Sequence, residues 1–229
     1  MRPVPIVALD VPDAGRALAL VKLLGDACEF YKIGGELFTA SGPSVVEAVR
    51  NEGKKVFLDL KFHDIPNTVR AAARSAVSAG ASLLTVHAIG GRAMIAAAVE
   101  GARDQCGVLA VTVLTSMNAD AYSEAVGNPI DSVAYEVIRL ARVAQEGRAF
   151  GVVCSGHEVA RIRAETADGL ATLVPGVRLA GHSANDQSRV VTPAEAATAG
   201  ATYIVLGRTV TAADEPRAAM ARVHDELNG

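Results

Sequence analysis

The sequence has few cysteines, few aromatic residues and no long apolar run. Its cysteines, Cys28, Cys106 and Cys154, are scattered and have no C-x-x-C spacing, so they indicate neither a disulfide framework nor a zinc site. No apolar stretch approaches the roughly 20 residues of a membrane-spanning helix, and the N-terminus shows no signal-peptide pattern. We therefore expect a soluble, cytoplasmic protein that has no membrane partner.

The sequence also lacks an excess of charge of either sign. The formal net charge is -3 over 229 residues, which gives no electrostatic reason to expect a nucleic acid partner. Apolar residues make up 50% of the chain, enough for a full core, but aromatic residues only 4%. Small and β-branched apolar side chains therefore dominate, which is typical of helices packed on a parallel sheet. A bound anion would need a local pocket.

Short apolar runs alternate with longer helical patterns along the whole chain. The sequence predicts eight strands, in the regions of residues 6–9, 29–33, 56–62, 83–87, 107–114, 150–154, 172–174 and 203–206. A helical pattern follows each strand and no linker interrupts the series, so we expect residues 1–229 to form one (β/α)8 TIM barrel. An open doubly wound sheet is the alternative, but Asp10-Val11-Pro12 stands where it would need a Gly-x-Gly-x-x-Gly turn.

The third predicted strand carries the most unusual pattern. Asp59 and Lys61 interrupt its apolar run, and because strand side chains alternate between faces, both should project from the same side. Asp64 follows where Ile65-Pro66-Asn67 would end the strand and open a helix. A buried lone charge is unfavourable, so these three charges must pair or serve a function at the strand end. An ion-pair network that only closes the strand is the alternative.

Active sites of such barrels lie at the carboxyl ends of the strands. Polar residues at the predicted strand ends would form a ring around one mouth: Asp10, Lys32, Asp59, Lys61, Asp64, His87, Thr115, Ser155, Gly207 and Arg208. Asp10 could equally be a helix cap. Lys32 is harder to explain in that way, since a cap needs an acceptor and lysine has only donors.

The ends of the last two strands predict an anion site. Barrels commonly bind phosphate there through backbone N–H groups. Gly207-Arg208-Thr209 offers close backbone approach, a guanidinium and a hydroxyl, and Arg178 and Gln187 of the 175–190 loop could add donors. The length and glycines of that loop are typical of a lid. A surface ion pair is the alternative for Arg208.

These motifs together resemble the orotidine 5′-monophosphate decarboxylase family. The third strand reads Asp59-x-Lys61-x-x-Asp64-Ile65-Pro66-Asn67-Thr68, which is similar to the family signature. Further segments that resemble the family's strand ends follow in the right order: 7–10, 31–34, 113–116, 175–178, 186–193 and 205–208. The resemblance implies a homodimeric decarboxylase that makes UMP in pyrimidine biosynthesis and uses neither a cofactor nor a metal.

The resemblance also implies catalytic roles. Four residues would form a network of alternating charge: Lys32, Asp59, Lys61 and Asp64. Lys61 would stabilise the carbanion that forms at C6 and donate a proton to it. Asp59 would lie beside the departing carboxylate. Asp64 and Thr68 would reach into the neighbouring subunit's site.

The remaining residues that the resemblance implies would bind the substrate. Asp10 and Lys32 would hold ribose hydroxyls, and Thr115 or the adjacent Ser116 would contact the pyrimidine edge. The phosphate would be held by four residues of the last two loops: Arg178, Gln187, Gly207 and Arg208.

Two other functions fit parts of the sequence. Relatives with the same Asp-x-Lys-x-x-Asp motif, a sugar-phosphate decarboxylase and a hexulose-phosphate synthase, use carboxylates to hold Mg²⁺. Lys32 and the Ile65-Pro66-Asn67-Thr68 continuation argue against them. A catalytically silent barrel that senses a nucleotide would lack a lysine or a carboxylate of the charge network, and none is missing from the sequence.

Overall fold

The chain folds as a closed barrel of parallel strands, seen in a computed structural model that describes residues 2–167, 169–179 and 190–229. Each strand pairs with the next, and the last pairs with the first. The strands are β1 (Val4–Ala8), β2 (Phe30–Gly34), β3 (Lys55–Phe62), β4 (Leu83–His87), β5 (Gly107–Val111), β6 (Gly151–Val153), β7 (Ala171–Val174) and β8 (Tyr203–Leu206). The predicted (β/α)8 fold is confirmed.

Helices connect the strands. They are α1 (Ala14–Leu24), α2 (Gly35–Ser41), α3 (Ser44–Asn51), α4 (Pro66–Ala79), α5 (Gly91–Ala102), α6 (Ala119–Val126), α7 (Val133–Glu146), α8 (Val159–Glu165), α9 (Pro193–Ala199), α10 (Arg208–Thr211) and α11 (Pro216–Asn228). Local sequence explains several helix starts: the Asp13 carboxylate caps α1 by accepting the Arg16 N–H at 2.8 Å, and Pro66 occupies the first turn of α4. Among the helices described, none has the length and apolar character needed to cross a membrane.

The strands separate two apolar layers. Alternate residues face opposite sides of a strand, so Val7 packs in the large cluster that includes the helices, whereas Ile6 and Ala8 point into the barrel. The interior cluster is small, and Phe57 and Val205 belong to it. Phe57 and Val205 also line the cavity at the carboxyl end of the barrel, so this cluster forms the floor of that cavity.

Strand β5 is shorter than predicted. It ends at Val111 rather than at Leu114. The Leu114 carbonyl accepts the Met117 N–H at 2.9 Å, so the chain is already turning there. Thr115 and Ser116 therefore lie in a turn at the barrel mouth, where side-chain direction is not fixed by strand alternation.

Candidate active site

Strand β3 leaves regular pairing near its carboxyl end. Leu58 pairs with Leu84, and Phe62 pairs with Val86. Between these two pairs β3 has three residues, whereas β4 has only Thr85. The strand therefore bulges at the position of its charged residues, and a bulge is a common way to redirect a side chain beside a functional site.

The bulge brings Asp59 and Lys61 together. Lys61 has φ +49°, in the left-handed region that non-glycine residues seldom adopt. Its Nζ donates to both carboxylate oxygens of Asp59, each at 2.9 Å. The side chains share one space, as the sequence predicted, but through an irregular strand. The side chain of Asp59 is 13% exposed and that of Lys61 is 39% exposed, so the ammonium is the more accessible partner.

Two further charges extend this pair into a chain. Lys32 Nζ lies 2.8 Å from Asp10 Oδ1 and 3.8 Å from Asp59 Oδ2. These four residues, Asp10, Lys32, Asp59 and Lys61, are here called the charge chain. Their charges alternate in sign from Asp10, just after β1, through β2 to β3. Asp13 caps the following helix, so the structure does not support the alternative that Asp10 is its cap.

The charge chain lines one wall of a cavity at the carboxyl ends of the strands. The cavity has a volume of about 580 Å³, within the range typical of small-molecule sites. Predicted site residues make up much of its lining: Asp10, Lys32, Asp59, Lys61, Thr115, Ser116, Arg178, Gly207 and Arg208. A polar wall above an apolar floor suits a ligand that has both apolar surface and several polar groups.

Arg178 and Arg208, here called the arginine pair, line the same cavity. Arg178 is only 7% exposed, and its Nη1 donates to the Val177 carbonyl at 3.2 Å. Its buried Nε has no hydrogen-bond partner among the described residues. Burial lowers the pKa of Arg178, and the charge of Arg208 lowers it further. A bound anion would relieve both the unmet hydrogen bond and the repulsion.

Other predicted residues lie outside this cavity. Thr209 was expected to offer a hydroxyl to an anion, but it is buried and donates to the Val177 carbonyl at 3.2 Å, which removes it from the site. Asp64 and Thr68 are exposed and do not line the cavity of their own chain, and Asp64 accepts the N–H of Ile65 at 2.6 Å. The three charges of the β3 motif therefore do not meet within one chain. Gln187 lies outside the described residues.

Ser155 and His87, which the sequence also predicted at the barrel mouth, do not line the cavity. Ser155 and Glu158 form a capping box on the 3₁₀ turn Gly156–Glu158. The His87 ring lies 5.7 Å from the ring of His63 and does not line the cavity. Burial lowers the pKa of His87, and the neighbouring His63 and Lys61 lower it further. Neither residue joins the ring of polar groups that the sequence predicted.

Sequence reasoning missed Thr85. Its hydroxyl donates to Asp59 Oδ1 at 2.9 Å and accepts the backbone N–H of Lys61 at 2.9 Å. The available signal was a hydroxyl residue within the apolar run of β4, next to the strand that carries the charges. In the part of the chain that the structure describes, no group of three His, Cys, Asp or Glu side chains is placed to hold a metal ion.

Comparison with known proteins identifies relatives along nearly the whole chain. The sequence profile described as "Orotidine 5'-phosphate decarboxylase / HUMPS family" matches residues 3–223. Proteins named orotidine 5′-phosphate decarboxylase are 49% identical in Alkalilimnicola ehrlichii, over 97% of this chain and 95% of the relative, and 46% identical in Cutibacterium acnes, over 98% and 96%. The crystal structure of the Lactobacillus acidophilus orotidine 5′-phosphate decarboxylase has a TM-score of 0.88 and 36% identity, with 100% of both chains covered. The chain therefore belongs to the orotidine 5′-phosphate decarboxylase / HUMPS family.

Proposed function

We propose that this protein decarboxylates orotidine 5′-monophosphate to UMP, a step of pyrimidine biosynthesis, without a cofactor, and that residues 1–229 act as one catalytic unit. The observation that carries the proposal is the presence of the charge chain and the arginine pair in one cavity. The names of the relatives support the same reaction. The charge chain supplies a fixed ammonium for the reacting carbon, and the arginine pair supplies cations for a phosphate.

Lys61 is the proposed proton donor. Loss of CO₂ breaks the bond between C6 and its carboxyl group and leaves the electron pair on C6, where no carbonyl is placed to delocalise it well. The Lys61 ammonium is accessible from the cavity and is held by both oxygens of Asp59, so it can stabilise that charge without reorganising. It then gives one proton to C6, which yields UMP.

Asp59 orients Lys61 and contributes a negative charge near the substrate carboxylate. Its oxygens accept hydrogen bonds from Lys61 and Thr85, so its position is fixed. Repulsion between the two carboxylates would disfavour the bound substrate, and departure of CO₂ would relieve it. Asp10 and Lys32, joined at 2.8 Å, are the proposed partners of the ribose hydroxyls.

The arginine pair is the proposed phosphate site, with Gly207 and Gln187 as additional donors. Binding energy from the phosphate, remote from C6, would hold the substrate against the charge chain. Thr115 and Ser116 line the cavity and are the proposed contacts of the pyrimidine edge.

A homodimer would complete the site. Asp64 and Thr68 are exposed in their own chain, and Ile65 between them is 67% exposed. An exposed apolar side chain beside an exposed carboxylate suits an interface in which the partner's cavity receives them. Asp64 would then extend the charge chain next to Lys61 of the other subunit.

The deciding experiment is a spectrophotometric assay for loss of orotidine 5′-monophosphate in buffer containing EDTA. Turnover that persists at full rate supports the proposal. Absence of turnover both with and without EDTA would contradict it. Loss of activity on chelation, restored by Mg²⁺, would instead indicate metal-dependent chemistry.

A further inference from the structure

We infer that Thr85 is a positioning residue for the proposed reaction: its single hydroxyl fixes Asp59 and Lys61 relative to each other. The inference rests on the proposed function and adds a residue to it. Thr85 does not line the cavity, so it acts through its two neighbours rather than on the substrate.

The Thr85 hydroxyl is buried in an apolar strand, where a polar group needs hydrogen-bond partners. Thr85 is 0% exposed and lies between Leu84 and Val86 in the middle of an apolar strand. A valine has nearly the same shape and would fill this space without a polar atom. A buried hydroxyl is costly unless it is hydrogen-bonded, so its partners explain its presence.

Both hydrogen-bond partners of the Thr85 hydroxyl belong to the charge chain. The hydroxyl hydrogen goes to Asp59 Oδ1 at 2.9 Å, which leaves the oxygen lone pairs to accept the Lys61 N–H at 2.9 Å. One bond uses the hydroxyl hydrogen and the other uses a lone pair of its oxygen, so both bonds form together without competition. The side chain of Asp59 and the backbone of Lys61 are therefore held by the same atom.

The bulge explains why a side chain is needed here. Thr85 is the one β4 residue opposite the three bulged residues of β3, so regular ladder pairing is interrupted at this point. Lys61 has left-handed φ, and its N–H finds the threonine hydroxyl in place of a strand carbonyl. The hydroxyl thus supports the backbone conformation that directs the Lys61 ammonium toward Asp59.

The test compares Thr85→Val with Thr85→Ser, and uses Thr172→Val as the matched control. Thr172 is also fully buried in a strand and, like Thr85, does not line the cavity. Its hydroxyl also accepts a backbone N–H, at 3.3 Å, but from Thr202, which is not part of the charge chain. We expect Thr85→Val to lower kcat by about 10- to 100-fold, as for loss of a hydrogen bond to a charged group, with KM changed less than about 3-fold because the arginine pair is untouched. Thr85→Ser should recover most of kcat, and Thr172→Val should keep wild-type kcat.

A second measurement does not depend on activity. Hydrogen exchange of the Lys61 amide should be faster in Thr85→Val than in wild type and near normal in Thr85→Ser. If Thr85→Val does not fold, Thr85→Ala against Thr172→Ala carries the same expectations. Wild-type kcat together with unchanged Lys61 exchange in the variant lacking the hydroxyl would overturn the inference. Absence of turnover in wild-type protein would overturn the proposed function instead, and Lys61 exchange would still decide the role of Thr85.

Discussion

Arg178 and Arg208 line the same cavity with the same sign of charge, and the pKa of Arg178 is lowered first by burial and then by the charge of Arg208. Two cations that repel each other in a partly closed space are unfavourable in a protein that binds nothing there. The arrangement is explained if the cavity receives an anion.

Arg208→Ala should raise KM for orotidine 5′-monophosphate by about 10- to 100-fold, because a charge-assisted contact to phosphate is lost. Steady-state kinetics measures it, and Arg217→Ala is the control, since Arg217 pairs with Asp26 at 2.7 Å on the surface. The affinities of UMP and of uridine, measured by their competition with the substrate, give an independent check of the phosphate contact. Equal affinity of wild-type protein for the nucleotide and the nucleoside would contradict the phosphate assignment.

Lys61→Ala should lower kcat by about 10³-fold or more, since the ammonium that would stabilise the negative charge on C6 and donate a proton to it is removed. UMP binding, measured by calorimetry, should remain detectable because the arginine pair is intact. Lys54→Ala is a suitable control: Lys54 pairs with Glu29 at 3.0 Å and does not line the cavity. A near-normal rate in Lys61→Ala would refute the proposed proton donor.

A mixture of inactive variants tests whether the site is shared between subunits. Lys61→Ala and Asp64→Ala chains should each be inactive alone, but a heterodimer keeps one site with both groups intact. After random exchange of equal amounts, activity should recover to about a quarter of the wild-type value, since half of the dimers would carry one working site of two. Demonstrated subunit exchange without any recovery would contradict the shared site.

The sequence predicted the barrel and most of the polar residues that line the cavity because both follow from short-range patterns. Strand and helix periods alternate clearly, and parallel strands bring their carboxyl ends to one mouth, so the sequence alone could place Asp10 and Lys32 together. Asp59 and Lys61 were also paired correctly. Their spacing matched a regular strand, although the observed geometry is a bulge.

What the sequence could not show depends on contacts between distant segments. The bulge in β3 is defined by its register with β4, and Thr85 in an apolar strand has the same pattern as a residue that only packs. Thr209 follows Arg208 directly, yet the first turn of α10 directs its hydroxyl to the Val177 carbonyl. Side-chain direction at such positions is decided by the local turn, which periodicity does not reveal.

Gly34→Ala should impair activity without unfolding the protein. A Cβ on Gly34 would lie 3.0 Å from Lys32 Nζ and 3.3 Å from Asp10 Oδ1, so the first link of the charge chain would have to move. Lys32 Nζ is the end of a flexible side chain and can shift at little cost in folding free energy. We expect kcat/KM to fall by about 10-fold, because even a few tenths of an ångström of displacement at a binding group is costly to catalysis. The free energy of unfolding should change by less than about 0.5 kcal/mol. The adjacent Gly35→Ala is the matched control, since a Cβ there would meet no atom of the described residues within 4 Å. Kinetics and urea unfolding on both variants separate the effects. Equal kcat/KM in the two would show that the charge chain tolerates displacement of Lys32, and that the close approach of Gly34 serves packing alone.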